Sequence, residues 1–239
     1  MMNRALLTVV LIAPFWALVA RAEDNTLIIE RSRARSGVGP DFVDKAEKEL
    51  DRGDLQHARQ HVQTAIQSDP TYWPAFYTRA KILYRDGNWS AAINDCNELL
   101  RQDSTFVPAA ILRSTANIQL GNYDAASKEL DHLILLQPRL YYFARALDAR
   151  AWFRATCRNS SFRNPKGAVD DAKKACAITQ WKEAEPMDTL ATACAASADF
   201  DSAIRYEQQA MRGGGARDMQ KTLQAHLAMF QQHRQVSSR

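Results

Sequence analysis

Gly53-Asp54-Leu55, Gly87-Asn88-Trp89 and Gly121-Asn122-Tyr123 decide how this chain folds, because their glycines stand 34 residues apart both times. A fourth relative, Ala198-Asp199-Phe200, carries Ala in place of Gly. After each turn a small residue returns at a fixed distance: Ala58, Ala92, Ala126 and Ala203. Seven residues further come Ala65, Leu99, Leu133 and Ala210, and before each turn lie Ala46, Ala80, Ser114 and Ala191. Self-similarity at such a period marks an array of stacked units.

The physics of the pattern specifies the unit. Two antiparallel helices, A then B, meet at a tight turn whose glycine supplies backbone freedom, and the Leu or aromatic two residues later packs beneath it. Ser90, Asp124 and Asp201 stand where a side chain is expected to cap the first amides of helix B. Small residues let the helices of a pair approach closely. Asp69-Pro70 and Gln137-Pro138 close two units, since proline cannot continue a helical ladder. One pair buries too little apolar surface to stand alone, so the pairs must stack.

This spacing resembles the tetratricopeptide repeat over about residues 39–212. The resemblance implies an all-α, right-handed solenoid of about five helix pairs with a C-terminal capping helix. Units are expected at about 39–72, 73–106, 107–140, 144–183 and 184–215, with the cap at 216–234. One departure stands out: the family's helix-A Leu is Arg79, Arg113 and Arg150 in three units. The sequence alone leaves open where those arginines point.

The fourth unit is irregular. From Ala126 to Ala168 the spacing is 42 residues instead of 34. Five of the extra residues fall in an expected loop near 158–165, and three in the approach around Arg139 to Phe143. The run Ala151-Trp152, Ala155-Thr156-Cys157, Ala172-Lys173-Lys174-Ala175-Cys176, Trp181 and Asp188-Thr189-Leu190-Ala191 is similar to a stretch common in bacterial proteins of this repeat family. After Gly213-Gly214-Gly215, Met219, Leu223, Leu227 and Phe230 form one apolar stripe, suited to covering the open end of the last unit.

Residues 1–22 have the layout of a secretory signal peptide. A basic start at Arg4 precedes an uncharged run from Ala5 to Val19, and Ala20-Arg21-Ala22 sets cleavage before Glu23. The competing reading is an uncleaved anchor, because the run is long for a leader. Residues 23–38, with Arg31, Arg33, Arg35 and Gly39-Pro40 following, read as a flexible linker. Removing 1–22 takes away Arg4 and Arg21 and no acid, which leaves 29 basic against 27 acidic side chains from the full 31 and 27. A balance so even gives no argument for an electrostatic nucleic-acid or membrane-surface binder, and neither is expected as a partner. The expected location is the bacterial periplasm, or outside the cell.

Little in the chain suggests chemistry. His57 and His61 stand four apart on a helix, a spacing that can grip a metal, but no third ligand lies near in sequence. The four cysteines, Cys96, Cys157, Cys176 and Cys194, are widely spaced with no CxxC. Most fall where the repeat expects buried residues, and Cys157, beside the inserted loop, is the expected accessible one. Asn88-Trp89-Ser90 and Asn159-Ser160-Ser161 match a glycosylation sequon, and the turn already explains Asn88. No catalytic set, metal or cofactor is expected.

The resemblance implies that helices A line a concave groove through the fifth, ninth, twelfth and thirteenth positions of each unit. Those positions hold Tyr77, Lys81, Tyr84 and Arg85, then Ile111, Thr115, Ile118 and Gln119, then Asp148, Trp152 and Thr156. Lys81, Arg85 and Asp148 are its expected charged points, and Trp152 is equally well read as packing between helices. Relatives that clamp a terminal carboxylate use basic and amide residues where this chain has Val43, Glu47 and Ile111, so that clamp is not carried over. The leading reading is a non-catalytic scaffold for a peptide or protein partner. Two alternatives are a thiol or metal factor built on Cys157 or His57/His61, and a structural homo-oligomer.

Overall fold

The computed structural model describes residues 38–213 and 217–237. The expected leader and nearly all of the expected linker lie outside them, and α1 begins at Val38, the last residue of that linker. Eleven α-helices follow and no strand appears among the described residues. They are α1 (Val38–Asp51), α2 (Leu55–Ser68), α3 (Trp73–Arg85), α4 (Trp89–Gln102), α5 (Val107–Gln119) and α6 (Tyr123–Leu135). Then come α7 (Leu140–Thr156), a 3-10 turn at Ser160–Phe162, α8 (Pro165–Ile178), α9 (Ala184–Ala196), α10 (Phe200–Arg212) and α11 (Arg217–Gln231).

The pairs are joined by one repeated turn. Gly53, Gly87 and Gly121 sit at φ of 79–80°, the left-handed region open to glycine. One residue later, the amides of Asp54, Asn88 and Asn122 each donate to a carbonyl five residues back, at 2.9 Å. That bond satisfies a carbonyl the helix end would otherwise leave orphaned. The caps fall elsewhere than the sequence reading placed them. Asp54, Asn88 and Asp199 immediately precede their helices and accept from the amides of His57, Ala91 and Ser202. Ser90, Asp124 and Asp201 lie two residues too late, already inside the helix.

Each helix packs on its chain neighbours, and α1, α3, α5, α7, α9 and α11 also touch in succession. Helices A are therefore the closer-spaced row, which makes theirs the inner face. The small residues sit where the pairs cross: Ala46, Ala58, Ala80, Ala92, Ser114, Ala126, Ala191 and Ala203 are all fully buried. The irregular unit supplies Ala168 and Ala175 in the same roles. Its extra loop closes onto the solenoid through Phe162, whose ring lies 5.9 Å from Phe153 and 5.8 Å from Tyr123.

The arginines standing where the family has Leu turn outward between helices B. Arg79 bonds Asp95 at 2.7 and 2.8 Å. Arg113 bonds Glu129 at 3.0 Å and reaches back to Asn97 of the preceding unit at 2.7 Å. Arg150 grips Asp171 at 2.8 and 2.9 Å and reaches back to Asp131 at 2.9 Å. Arg154 joins both of those acids. Each rung ties a helix A to its own helix B, and the later rungs also tie it to the unit before.

At the C-terminal end, α11 lies against α10 and α9. Leu223 and Phe230 of its stripe are fully buried in a cluster with Met187, Leu190 and Ala203.

Candidate functional site

The inner face carries one long trough. Its wider section, about 960 Å³, runs between α1, α3 and the start of α7, past Glu47, Trp73, Tyr77, Lys81, Phe106 and Tyr142. A narrower section of about 490 Å³ continues past Tyr84, Arg85, Ile111, Thr115, Asp148 and Trp152 to Glu185 and Asp188. Tyr77, Lys81, Pro108, Ile111 and Arg145 border both sections. The structure thus places Tyr77, Lys81, Tyr84, Arg85, Ile111, Thr115, Ile118, Asp148 and Trp152 around one surface.

Helical spacing explains the convergence. Residues three and four apart on a helix A share a face, and successive helices A present that face side by side. The aromatic side chains are fixed by their neighbours. Tyr77 meets Phe106 edge-on at 5.2 Å, and Trp73 meets the same ring at 4.9 Å. Burial, with the charge of Glu47, holds the Tyr77 hydroxyl far above its ordinary pKa. Tyr84 is likewise raised by burial, against the opposing pull of hydrogen bonds with Gln119 and Thr115. Gln119 therefore acts on the groove as support for Tyr84.

The charged points differ from the expectation. Lys81 is paired with Glu47 of the preceding unit and lies 5.5 Å above the Tyr77 ring. Arg85 donates to the Leu50 carbonyl. Asp148 is only 6% exposed, so it is the floor of the trough and no surface charge. Burial foremost, then the charge of Glu185, raises its pKa to about 7, while Thr189 and Arg145 pull the other way. Thr156 is also no groove residue: it is buried, with its hydroxyl donating to the Trp152 carbonyl at 2.8 Å. Trp152 keeps both readings, since it borders the trough while its ring lies 6.0 Å from that of His226 on α11.

Arg145 and Glu185, ion-paired across α7 and α9, were not visible from the sequence. Arg145 stands six residues before the small Ala151, as Pro108 stands six before Ser114. The proline gave no hint that this position faces the groove. Tyr141 and Tyr142 enter because α7 is lengthened at its start by the three extra residues of the approach.

The residues that offered chemistry in the sequence are placed otherwise. All four cysteines are free and buried, and Cys157, expected to be accessible, is 1% exposed. Its neighbour Phe162 folds the inserted loop over that end of α7. Burial pushes Cys96 and Cys176 up to about 12 and Cys194 to about 11, and raises Cys157 as well. Thiols so held have little thiolate, the nucleophilic form. His57 is tied to its own cap residue, Nδ1 to Asp54 at 2.6 Å. That bond raises the His57 pKa and, after the backbone amide of the same residue, lowers that of Asp54. His61 packs against Phe42 instead, ring centres 5.6 Å apart.

No protein-family model and no curated protein matches this sequence. Solved structures do. TTC0263, described as a thermophilic TPR protein in Thermus thermophilus, superposes with a TM-score of 0.61 at 15% identity. That match covers 80% of this chain and 99% of the other. Yeast Tom70 superposes at 0.58 with 15% identity, over 88% of this chain and 42% of that one. Fold and spacing together define a stack of paired helices. The chain has the fold of a tetratricopeptide-repeat solenoid. Among the described residues, no helix is long and apolar enough to cross a membrane.

Proposed function

We propose that this chain is a non-catalytic scaffold that holds a segment of another polypeptide along its inner trough. The setting is the bacterial periplasm or outside the cell, during assembly of an envelope or multiprotein complex. One observation carries the reading: Tyr77, Tyr84, Ile111 and Trp152 line a continuous trough with their positions already fixed by neighbours. Aromatic side chains with a polar handle bury much area for little lost rotamer freedom, and a preorganised geometry lowers the ordering cost of association. Lys81–Glu47 and Arg145–Glu185 remain partly exposed along the rim. Such pairs lose little when they exchange partners, so they suit the polar edge around an apolar centre.

The test uses a photo-reactive amino acid in the native host, placed at Ile111 in the trough or at exposed Lys128 on α6. Crosslinks to one partner from Ile111 alone are expected, and Tyr77→Ala with Lys81→Ala should abolish them while helicity stays intact. Equal crosslinking from Lys128, or indifference to the double substitution, sinks the groove. N-terminal sequencing of the protein from its host tests export: a chain starting at Glu23 is expected.

A second reading, a homo-oligomer, is favoured by the corner between α6 and α7. There Leu135 is 81% and Leu140 66% exposed, with Leu136 and Tyr141 beside them. A contiguous apolar corner of this kind marks an interaction surface. Light scattering of the chain with Leu135→Asp and Leu140→Asp decides whether that surface joins copies: a smaller mass than wild type supports it, and an unchanged monomer ends it.

A further inference from the structure

Asp188 of α9, Glu207 of α10 and His226 of α11 come together beneath the C-terminal helix. Each offers a ligand atom within 4.8 Å of the other two. They are 6%, 0% and 9% exposed, respectively. His226 Nδ1 lies 2.6 Å from Asp188 Oδ1. Neither oxygen of Glu207 has a hydrogen-bond partner. The rings of Trp152 and Phe230 flank His226 at 6.0 and 6.1 Å, and Leu190, Met187 and Leu223 are buried nearby.

The last unit is the odd one among its neighbours. In units two to four a partly or fully buried acid of helix B is held by an arginine of helix A: Asp95 by Arg79, Glu129 by Arg113, Asp171 by Arg150. Here Leu190 stands where those arginines stand, and Tyr206 stands where the acids stand. The carboxylate has moved one residue on, to Glu207, and inward, where no lysine or arginine of the described residues forms an ion pair with it. A buried carboxylate is normally paired or bound to a metal, and two beside one imidazole are short of positive charge.

We propose that Asp188, Glu207 and His226 form a binding site for a divalent transition-metal ion, which fastens α11 to the last helix pair. Two carboxylates neutralise the ion's two charges. A neutral imidazole selects zinc, manganese, cobalt or ferrous iron over calcium and magnesium. Metal–ligand bonds of about 2.0–2.2 Å require ligand atoms about 3.4 Å apart, and side-chain rotation of about an ångström closes the present spread.

The test begins with the full chain stripped by a chelator. Zinc titrated calorimetrically should bind one equivalent at neutral pH and raise the melting temperature. Cobalt in its place should give visible absorption bands of an ion held by nitrogen and oxygen. Glu207→Gln keeps the shape of the protonated side chain. It should fold and lose more than about 100-fold in zinc affinity, beyond the 10–100-fold that a mere supporting partner costs. His226→Asn should lose as much. The double variant His57→Ala, His61→Ala should bind as wild type does. No stoichiometric binding by wild type, undiminished binding by Glu207→Gln, or loss of binding in the His57/His61 variant overturns the proposal. Should Glu207→Gln not fold, the cobalt spectrum of the wild-type protein and its loss in His226→Asn decide alone: absence of the bands, or their persistence in the variant, overturns the site.

Discussion

At Ala198 the backbone holds φ of 62°, the conformation its three counterparts meet with glycine. The hydrogen bond that closes the turn is still made, Asp199 N to Cys194 O at 3.0 Å. The residue is therefore strained and the turn intact. That region costs an L-residue about 1 kcal/mol, so Ala198→Gly is expected to stabilise by up to about 1 kcal/mol, less glycine's extra unfolded-state entropy. The reverse change, Gly87→Ala, meets no atom within 4 Å and should cost about 1 kcal/mol from the backbone alone. Urea unfolding of the two variants measures both. Asp148 makes a second prediction at this scale. Its folded pKa of about 7 lies above the ordinary 3.8. Below about 3.8 the carboxyl is protonated in both folded and unfolded chains, and its favourable contribution is complete. Between 3.8 and 7 the unfolded chain ionises while the folded one does not, so that contribution is lost as pH rises. Asp148→Asn should gain stability relative to wild type at pH 8 and little at pH 4, by denaturant midpoints. The turn glycines were legible because only glycine suits the angle. The depth of Asp148 was not, because its position in the unit faces the trough while the neighbouring α9 covers it.

Helices A and B are locked by a feature the sequence displayed without declaring. Arg79 and Asp95 are 16 residues apart, as are Arg113 and Glu129, while Arg150 and Asp171 are 21 apart, longer by the five residues of the inserted loop. Spacing alone contained the ladder. What it lacked was direction, since an arginine replacing a buried Leu could equally have turned into the groove. Removing one partner leaves a mostly buried carboxylate unpaired, whereas replacing both by apolar groups need not. Arg79→Met is therefore expected to cost about 1–3 kcal/mol, and Arg79→Met with Asp95→Leu to recover most of it. A double-mutant cycle by chemical denaturation reads the coupling; additive effects would mean the rung holds nothing. The cap assignments went astray by two residues for a simpler reason. A cap residue lies outside its helix, and the aromatic residue after it is already the first helical position.

Across the whole molecule the solenoid was readable because every unit repeats the same small-residue crossings, and one buried alanine predicts the next. The assembled sites were less so. The trough emerges from counting positions, which found the faces it counted and missed Arg145 and Glu185, because their place, six before the small residue, is held by proline in the regular units. The Asp188, Glu207 and His226 cluster draws one residue from each of three helices, and no local spacing announces it. The end of the stack depends on α11, since Leu223 and Phe230 are fully buried against the last pair. Deleting residues 217–239 should uncover Met187 and Leu190, lower the melting temperature and produce self-association in light scattering. A truncated chain that melts as wild type and stays monomeric would show that α11 seals nothing.

The ladder of arginines also fixes what lengths this protein can take. Excising residues 88–121 would splice Gly87 directly to Asn122, turn to turn, removing one full period. Arg79 would then face Glu129 where it now faces Asp95, and Arg150 would keep both Asp131 and Asp171. Every surviving rung finds an acid, so the shortened chain should close without a stranded charge, and a duplicated period should insert as readily. A cut of any other size between these glycines would put the rung that spans the join out of step. The protein is thus quantised in length: its trough can be lengthened or shortened by whole periods, by the same recombination that builds repeats, with the charged seam acting as the gauge of a legal join.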